Sequence, residues 1–259
     1  MTQHTLDVET IGYNVGAGPL AAKLDDLETF LAHAKTADAT PVILGQEWGD
    51  RPDLWKAFHT RHPSYRIVWD SRSNAGRKTP IIYDSAALKL PWYSLPITVP
   101  KGTYWGHGGK GETRSPGKRL AQARLRHRRS KIKLKVLNHH LVASAFSTGG
   151  AEGKRRRTSW TRQANRFFRA AQRSRAPVLG GADWNAEKTN PRLQAARKRC
   201  PKWVWDSKGP THKKRTIDLY GHKTNPRIKL LAAGVHPTHG SRHRQDHAAP
   251  WQRYRITDK

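Results

Sequence analysis

The sequence predicts an α/β fold, in which short apolar strands alternate with amphipathic helices. Strand-length apolar runs are bounded by Gly, Pro and polar residues, and between several of them apolar residues recur at three- and four-residue steps, the period of a helix. The chain has 259 residues, of which 36% are apolar, so it is long enough to bury a core. We expect residues 1–259 to form a single domain, because no internal repeat or linker divides them.

The first half of the chain opens with a strand and a helix. Apolar side chains recur at helical spacing from Leu20 to Leu31, which predicts an amphipathic helix. Residues 42–46 form a short apolar run that ends on a carboxylate, Glu47. Further strands are predicted at residues 6–15, 65–70 and 80–83, a second helix at 52–62, and a long loop at 101–117, which is rich in Gly and Lys.

Residues 131–142 alternate between the two faces of a strand. Ile132, Leu134 and Val136 lie on one face and the intervening lysines on the other. Continuing this period of two places His140 on the apolar face and His139 with the lysines, so His139 is expected to tolerate alanine. The remaining elements are a basic helix at 158–173, a strand at 177–181, a helix at 191–199 and strands at 216–220 and 250–256.

The charge of the chain predicts a polyanionic partner. Lys and Arg number 49 against 19 Asp and Glu, a formal net charge of +30. Residues 1–50 carry eight acidic and two basic side chains, whereas residues 101–175 carry 21 basic and two acidic ones. So large a local excess attracts nucleic acid, although a generally cationic, solvated surface is the simpler alternative. Ten Trp argue against a disordered basic tail, because side chains of this size need a core.

Composition also excludes several classes of protein. The single Cys200 excludes an internal disulfide and a cysteine-based zinc site. No apolar run is long enough to cross a bilayer, and Asp7 and Glu9 interrupt the first apolar stretch, so we predict no signal peptide and no membrane partner. We therefore expect an intracellular, cytoplasmic protein that is a monomer.

Polar side chains recur where the predicted strands end. They are Asn14, Glu47, His140, Asp183, Asn185, Asp218, Asp246 and His247. Each alone has a structural explanation, such as a turn former, a helix cap or a hydrogen-bonded core histidine. The remaining histidines follow no ligand spacing and are expected at the surface, with a zinc site from His236, His239 and His243 as the alternative; they are His33, His59, His62, His107, His127, His212, His222, His236, His239 and His243.

Six short motifs occur in a fixed order along the chain. They are Tyr13-Asn14-Val15, Leu44-Gly45-Gln46-Glu47, Asn138-His139-His140-Leu141, Ala182-Asp183-Trp184-Asn185, Ile217-Asp218 and Gln245-Asp246-His247. This ordered set resembles the endonuclease/exonuclease/phosphatase superfamily, the metal-dependent enzymes related to pancreatic deoxyribonuclease and exonuclease III. The compact size also resembles stand-alone bacterial or phage members. The resemblance implies a four-layer sandwich of two stacked mixed β-sheets flanked by helices.

The resemblance also implies roles for these residues. Asn14 and Glu47 would hold Mg²⁺ or Mn²⁺, with Asp218 or Asp246 completing the site, since these cations prefer oxygen ligands. Asp183 would position or deprotonate the attacking water, and Asn185 and His140 would contact the phosphoryl oxygens. His247 would act as the general base or as a transition-state stabiliser, and its carboxylate partner would be Asp218 or Asp246.

The function that follows is metal-dependent hydrolysis of phosphodiester bonds in nucleic acid, with DNA favoured over RNA, by direct attack of an activated water. The alternatives are a phosphatase or sphingomyelinase-like phosphodiesterase of the same superfamily, and a catalytically inactive nucleic-acid-binding protein. We expect the polyanion to contact cations in the basic middle of the chain, namely Lys118, Arg119, Arg155, Arg156, Arg157, Arg162, Arg166 and Arg169.

Overall fold

The computed structural model describes residues 4–16, 18–108, 111–115, 117–212, 214–238 and 247–258. Two six-stranded sheets pack face to face, and helices cover the outer face of each sheet. The predicted four-layer α/β sandwich of two mixed sheets is therefore confirmed. Within the described ranges, no helix is both long enough and apolar enough to cross a membrane.

The strands are given in their order across each sheet. The first sheet contains β15 (Ile228–His236), β16 (Ala249–Thr257), β1 (Thr5–Asn14), β2 (Thr40–Gln46), β4 (Ile81–Asp84) and β3 (Tyr65–Val68). The second sheet contains β13 (Trp203–Trp205), β14 (Asp218–Lys223), β12 (Val178–Asp183), β11 (Lys133–His140), β10 (Ala121–His127) and β5 (Leu88–Ser94). Two small sheets pair β6 (Ile97–Val99) with β9 (Lys118–Arg119), and β7 (Tyr104–Gly108) with β8 (Gly111–Arg114).

The helices are α1 (Leu20–Thr36), α2 (Pro52–Arg61), α3 (Asn74–Arg77), α4 (Gly150–Gln172) and α5 (Pro191–Arg197). A 3₁₀ turn, Trp48–Asp50, follows β2. Proline begins α2 and α5, where its fixed φ suits the first helical turn and its missing N–H costs no hydrogen bond.

Both sheets share one pattern at their centre. β1 runs parallel to β2, and β11 runs parallel to β12, while antiparallel strands flank each pair. Parallel neighbours need a crossover, which α1 supplies in the first sheet and α4 in the second. The carboxyl ends of parallel strands lie at one edge of a sheet, so side chains that follow β1, β2, β11 and β12 are brought together.

Three apolar layers hold the sandwich. Between the sheets lie side chains from both, including Val8, Leu44, Leu134, Val136 and Tyr254. Beneath α1 and α2 lie Ile11, Tyr13, Leu27, Phe30 and Phe58. Beneath α4 and α5 lie Trp160, Phe167, Phe168, Trp184 and Trp203, which make edge and stacked ring contacts. Burial of such rings dominates the packing energy.

The structure corrects two of the predicted elements. Residues 101–117, predicted as a loop, contain the β7 and β8 pair. Helix α4 begins at Gly150, eight residues before the predicted start, because the apolar spacing becomes clear only at Trp160. The β10 strand was also missed: Ala121, Ala123 and Leu125 alternate with polar residues, but Ala and Arg have low strand propensity.

Candidate active site

On the first sheet, two oxygen-bearing side chains follow the central strands. Asn14 is the last residue of β1, and the exposed Glu47 directly follows β2. A Cβ placed on Gly16 would lie 3.9 Å from Asn14 Oδ1 and 4.0 Å from Glu47 Oε2. The two oxygens therefore both lie near the backbone of Gly16, beside the carboxyl ends of β1 and β2.

On the second sheet, His140 ends β11 and pairs in register with Asp183, the last residue of β12. The Asp183 Oδ2 atom lies 3.5 Å from His140 Nε2 and accepts a hydrogen bond from Asn14 Nδ2 at 3.4 Å. The Asn185 backbone N–H donates to Asp183 Oδ1 at 2.9 Å. Burial and the nearby Asp218 carboxylate raise the pKa of Asp183 to about 7. Asp183 thus joins the two sheets at the cleft.

A carboxylate and an imidazole form a close pair beside Asp183. His247 Nδ1 lies 2.6 Å from Asp218 Oδ2, although the two residues are 29 positions apart. Burial alone lowers the pKa of His247, but the charge and hydrogen bond of Asp218, together with Asp183 and Glu47, raise it to about 9. The imidazolium form is therefore favoured at neutral pH. The structure places Asp218 at the partner position; Asp246, the other candidate, lies outside the described residues.

Lys118 lies at the cleft rather than on a remote basic surface. Its Nζ is 3.4 Å from the Leu141 carbonyl oxygen, at the end of β11. Burial and the charge of Lys78 lower the pKa of Lys118 to about 8, against the opposing effect of Asp183 and Glu47. The Lys118 amine therefore interacts electrostatically with a carboxylate from each sheet. Its position in a Gly-rich basic segment of the sequence gave no sign of this interaction.

A buried polar network beneath the cleft fixes the two sheets relative to each other. Gln46 Nε2 donates to Asn138 Oδ1 at 2.8 Å and lies 2.6 Å from the Tyr220 hydroxyl oxygen. Asn138 Nδ2 donates to the carbonyl oxygens of Gly45 and Pro80 at 2.7 and 2.8 Å. These hydrogen bonds join β2 of the first sheet to β11 and β14 of the second, so they help to position the strand ends that carry the site, although Gln46 Oε1 is buried without a partner among the described residues.

The rim of the cleft carries backbone strain. The cleft has a volume of about 490 Å³, and its lining includes Glu47, Ser144 and Asn185. These are three of the five described non-glycine residues with a positive φ, at 60°, 57° and 50°. Such conformations cost on the order of 1–3 kcal/mol each and cluster at functional sites. Ser147, His212 and Arg215 line the cleft as well. No sequence pattern pointed to these three residues or to Ser144.

The donor set suits a divalent cation, and two places in the cleft compete for it. Asp183, Asp218 and His247 offer ligand atoms within 4.8 Å of one another, and Asp218 Oδ1 is buried with no hydrogen-bond partner among the described residues. However, an imidazolium already balances the charge of Asp218 there. Glu47 has no hydrogen bond or ion pair to a cationic side chain among the described residues, so Glu47 and Asn14 Oδ1 could also hold a divalent cation.

The predicted nucleic-acid contacts divide into exposed and engaged side chains. Arg155, Arg162, Arg166 and Arg169 lie exposed on α4, opposite the face that packs on the sheet, although Arg166 also donates to the Ile97 carbonyl. These four side chains form the outer basic face of α4.

The other three predicted arginines bond to groups of the protein itself. Arg156 Nη2 lies 2.6 Å from Glu152 Oε1, and Arg157 Nη1 donates to the Thr148 carbonyl at 3.1 Å. Arg119 Nη2 lies 3.2 Å from Asp70 Oδ2. These partners use the same guanidinium groups that a phosphate would need.

Two adjacent histidines should respond differently to substitution. His140 lines the cleft as its strand parity predicted, but the other face of β11 is covered by α4, and His139 is fully buried there. The expectation that His139 tolerates alanine assumed an exposed face, and the burial of this side chain removes that basis. Its Nδ1 accepts the His140 backbone N–H at 2.9 Å. His139→Ala should lower the free energy of unfolding by about 2 kcal/mol or more, measured by urea denaturation.

His140→Ala should instead lower turnover about 10²–10³-fold with little loss of stability, as expected for a donor aimed at the reacting group. Both variants are compared in the same two assays. Equal losses of turnover without unfolding would contradict this division of roles.

Two further histidines lie in the interior, against the prediction of a surface position. His222 is 8% exposed and its Nδ1 lies 2.6 Å from Asp206 Oδ2. His236 is 9% exposed and stacks on Phe30. His222 lies on β14 beyond residue 220, where the predicted strand ended, and His236 lies on β15, which was not predicted, so their burial could not be foreseen. His239 and His243, of the alternative zinc site, lie outside the described residues.

Comparison with known proteins rests on the fold. No protein-family model matches the chain, and no curated protein sequence matches it significantly. Among solved structures, D. rerio TDP2 complexed with single strand DNA product is 14% identical with a TM-score of 0.66, covering 96% of this chain and 98% of that one. A Bacteroides thetaiotaomicron mannosyl-6-phosphatase is 11% identical with a TM-score of 0.65, covering 95% and 99%.

A third structure bears the superfamily name itself. It is an endonuclease/exonuclease/phosphatase family protein from Bacteroides thetaiotaomicron, 10% identical with a TM-score of 0.66, covering 98% of this chain and 99% of that one. The match in each case spans both sheets and nearly the full length of the chain. The fold implied by the six motifs is therefore confirmed: this chain has the fold of the solved structures of the endonuclease/exonuclease/phosphatase superfamily.

Proposed function

We propose that this protein is a metal-dependent hydrolase of phosphodiester bonds in nucleic acid. The observation that carries the proposal is the meeting of the Asp218–His247 pair, Asp183 and the oxygens of Glu47 and Asn14 in one cleft. A phosphodiester is anionic and repels hydroxide, so hydrolysis needs a base, a cation and hydrogen-bond donors around the developing charge. The cleft supplies residues of each type.

The chemistry assigns a task to each group. A divalent cation held by Glu47 and Asn14 would supply Lewis-acid charge neutralisation. Asp183, whose pKa is raised to about 7, accepts the proton of the attacking water, since a base works best with a pKa near the working pH. In this scheme the nucleophile is water.

The cationic and neutral imidazoles act as donors. His247, whose pKa is raised to about 9, stabilises the developing charge as an imidazolium rather than acting as a base. Burial, with the charge of Lys118, lowers the pKa of His140 well below its usual value, so His140 donates as a neutral imidazole. Asn185 and Lys118 complete the set of contacts to the phosphoryl oxygens.

Nucleic acid is favoured as the substrate by charge. The formal net charge is +30, and the exposed arginines of α4 extend the positive surface beyond a pocket for one small phosphate. The structural neighbour TDP2 complexed with single strand DNA product supports this choice and favours DNA over RNA. A phosphatase is the second candidate, because the mannosyl-6-phosphatase has a similar fold.

End-labelled single-stranded, duplex and abasic-site oligonucleotides, incubated with Mg²⁺ or with EDTA, test the function. We expect Mg²⁺-dependent cleavage products that are absent with EDTA and strongly reduced with Asp218→Asn. A parallel assay with a phosphomonoester separates the two candidates: hydrolysis of the monoester alone would replace the nuclease by a phosphatase. Oligonucleotide binding without cleavage, with every metal tested, would indicate a catalytically inactive nucleic-acid-binding protein.

The outer basic face of α4 gives a prediction about affinity. The triple substitution of Arg155, Arg162 and Arg169 by Gln should weaken oligonucleotide binding irrespective of sequence. The slope of log K against log salt should flatten by roughly 0.9 per lost contact on duplex DNA, or roughly 0.7 on single strands. Turnover at saturating substrate should change little, because these side chains do not reach the reacting phosphorus.

The matched control is the triple substitution of Lys35, Lys56 and Arg61, which are equally exposed but lie on the helical layer of the other sheet. Binding is measured across a salt series in EDTA. An unchanged slope for the α4 variant, or an equal change for the control, would show that the α4 face is only solvated.

A further inference from the structure

Glu9, His33 and His236 meet on the outer side of the first sheet, away from the candidate active site. Each offers one ligand atom, and these atoms lie within 4.8 Å of one another. Glu9 points from β1 toward α1, which carries His33, and His236 is the last residue of β15. The three ligands therefore come from three separate elements of the fold.

The carboxylate of Glu9 is shared between two partners. His33 Nδ1 lies 2.8 Å from Glu9 Oε1, a hydrogen-bond distance, so a bound ion would replace this direct contact and move the two atoms slightly apart. Glu9 Oε2 is held by Arg253, whose Nη2 and Nε lie at 2.7 and 3.0 Å. Ligating carboxylates are commonly fixed by such an outer hydrogen bond, which here leaves Oε1 directed at the histidines.

The third histidine supplies the independent observation. His236 is 9% exposed, and its Nε2 is buried without a hydrogen-bond partner among the described residues. Its ring lies edge-on to His33, with centroids 4.5 Å apart. A buried polar atom without a partner costs about 1–3 kcal/mol, so it calls for an explanation. A plain Glu9–His33 ion pair leaves this imidazole unexplained.

We propose that Glu9, His33 and His236 bind a zinc ion that has a structural role. Two imidazoles and a carboxylate are the ligand types that Zn²⁺ takes in proteins, and a water would complete the tetrahedron. His33 is 32% exposed, which gives the ion a path of entry. Phe30 stacks on His236, and Trp251 contacts the rings of both histidines, so aromatic side chains hold the two imidazoles in place.

The position of the site indicates what the ion does. It ties the end of β15 to α1 and β1. Two residues beyond His236, the Thr238 hydroxyl donates to the backbone carbonyl oxygen of His247 at 2.8 Å. Fixing the end of β15 therefore helps to fix the backbone of a candidate catalytic residue, and metal binding adds to the stability of the folded state.

Metal-free protein, prepared by dialysis against a chelator, is titrated with Zn²⁺ by calorimetry and with Co²⁺ by visible absorption. The parent should bind one Zn²⁺ per chain at this site, give the Co²⁺ spectrum of a tetrahedral N₂O₂ set, and show a higher melting temperature with Zn²⁺. His33→Gln and His236→Gln should lose all three signals. Arg253→Gln should keep the site but weaken Zn²⁺ affinity roughly 10- to 100-fold.

Two controls separate this site from other histidine and carboxylate groups. His62→Gln removes a comparable pair, since His62 Nε2 lies 2.9 Å from Glu28, and it should leave all three signals unchanged. Asp218→Asn alters the candidate active site and should also leave them unchanged. Circular dichroism of each metal-free variant checks its fold. If His236→Gln does not fold, the test rests on His33→Gln, because the His33 side chain is about one-third exposed and its replacement disturbs the core less.

Three outcomes would overturn the proposal: a parent that binds no Zn²⁺ in calorimetry, signals that persist in folded His33→Gln, or signals that are lost with Asp218→Asn. The last result would place the ion in the catalytic cleft. Because none of these readouts is turnover, the zinc site can fail while the hydrolase stands, or hold while the hydrolase fails.

Discussion

Replacing Glu47 with glutamine is expected to lower turnover at low millimolar Mg²⁺ by about two orders of magnitude or more. The amide keeps the shape of the side chain but removes the negative charge that would hold a divalent cation beside Asn14 Oδ1. The charge stabilisation that a metal ion supplies is several kcal/mol, and each 1.4 kcal/mol is a factor of ten in rate. Part of the loss should be recovered at higher Mg²⁺, because the remaining ligands still bind weakly.

Glu28→Gln is the matched control, since Glu28 is a carboxylate paired with His62 on the outer helical layer and has no place in the cleft. The measurement is initial rate against Mg²⁺ concentration for the parent and both variants. A Glu47→Gln protein as fast as the parent at low Mg²⁺ would show that the cation is held elsewhere. Stability should change little, because Glu47 is exposed.

Strands and helices could be predicted from the sequence where their apolar residues follow the spacing of that element. β2 is a continuous apolar run, because it is covered by the second sheet on one face and by helices on the other, and α1 has a helical period of buried leucines. β10 could not be recognised in the same way. Its inward side chains are alanines that fit only because β5 and β11 flank them, a property of the assembled sheet rather than of the strand.

The candidate site could be predicted in part because its side chains follow strand ends, and strand ends are visible in sequence. Asn14, Glu47, His140 and Asp183 all lie at such positions and are brought to one cleft. Lys118 was placed instead on a general basic surface. Its proximity to Asp183 and Glu47 depends on how β9 crosses toward the end of β11, which no local pattern records.

Charge runs were a weaker guide than strand ends. Arg156 and Arg157 stand in the same basic run as Arg155, yet they bond to Glu152 and to backbone carbonyls, because a helix directs successive side chains about 100° apart. Arg155 lies exposed and its guanidinium stacks on Tyr104 at 4.7 Å. Only the helical phase of α4, fixed by its buried aromatic residues, separates the exposed cations from the engaged ones.

The pairing of Asp218 with His247 could not be predicted, because the two residues are 29 positions apart in the sequence. This pair gives the most specific test of the site. Asp218→Asn keeps a hydrogen-bond acceptor beside His247 Nδ1 but removes the negative charge that raises the pKa of His247. Turnover should fall by about 10²–10⁴-fold at neutral pH, the range for loss of a positioned acid or base. The remaining activity should have a different pH dependence.

In the parent, the pKa of His247 is raised to about 9, so the imidazolium is present below that pH and is lost as the pH rises through it. Activity that needs the imidazolium should therefore decline on the alkaline side. Without the Asp218 charge the pKa of His247 falls, and the alkaline limb of the pH–rate profile should move to lower pH. Each unit of this displacement corresponds to about 1.4 kcal/mol of lost interaction with the carboxylate.

Asp206→Asn is the control, because Asp206 Oδ2 lies 2.6 Å from His222 Nδ1 in a buried pair of the same type between the sheets. That variant should lose stability, measured by urea denaturation, but keep the parent's pH–rate profile. An alkaline limb at the same pH in Asp218→Asn and in the parent would show that another group titrates there. The assignment of His247 as a catalytic cation would then be wrong. Because the two carboxylates have the same separation from their histidines and differ in access to the cleft, the comparison isolates the effect of charge at the reacting phosphate.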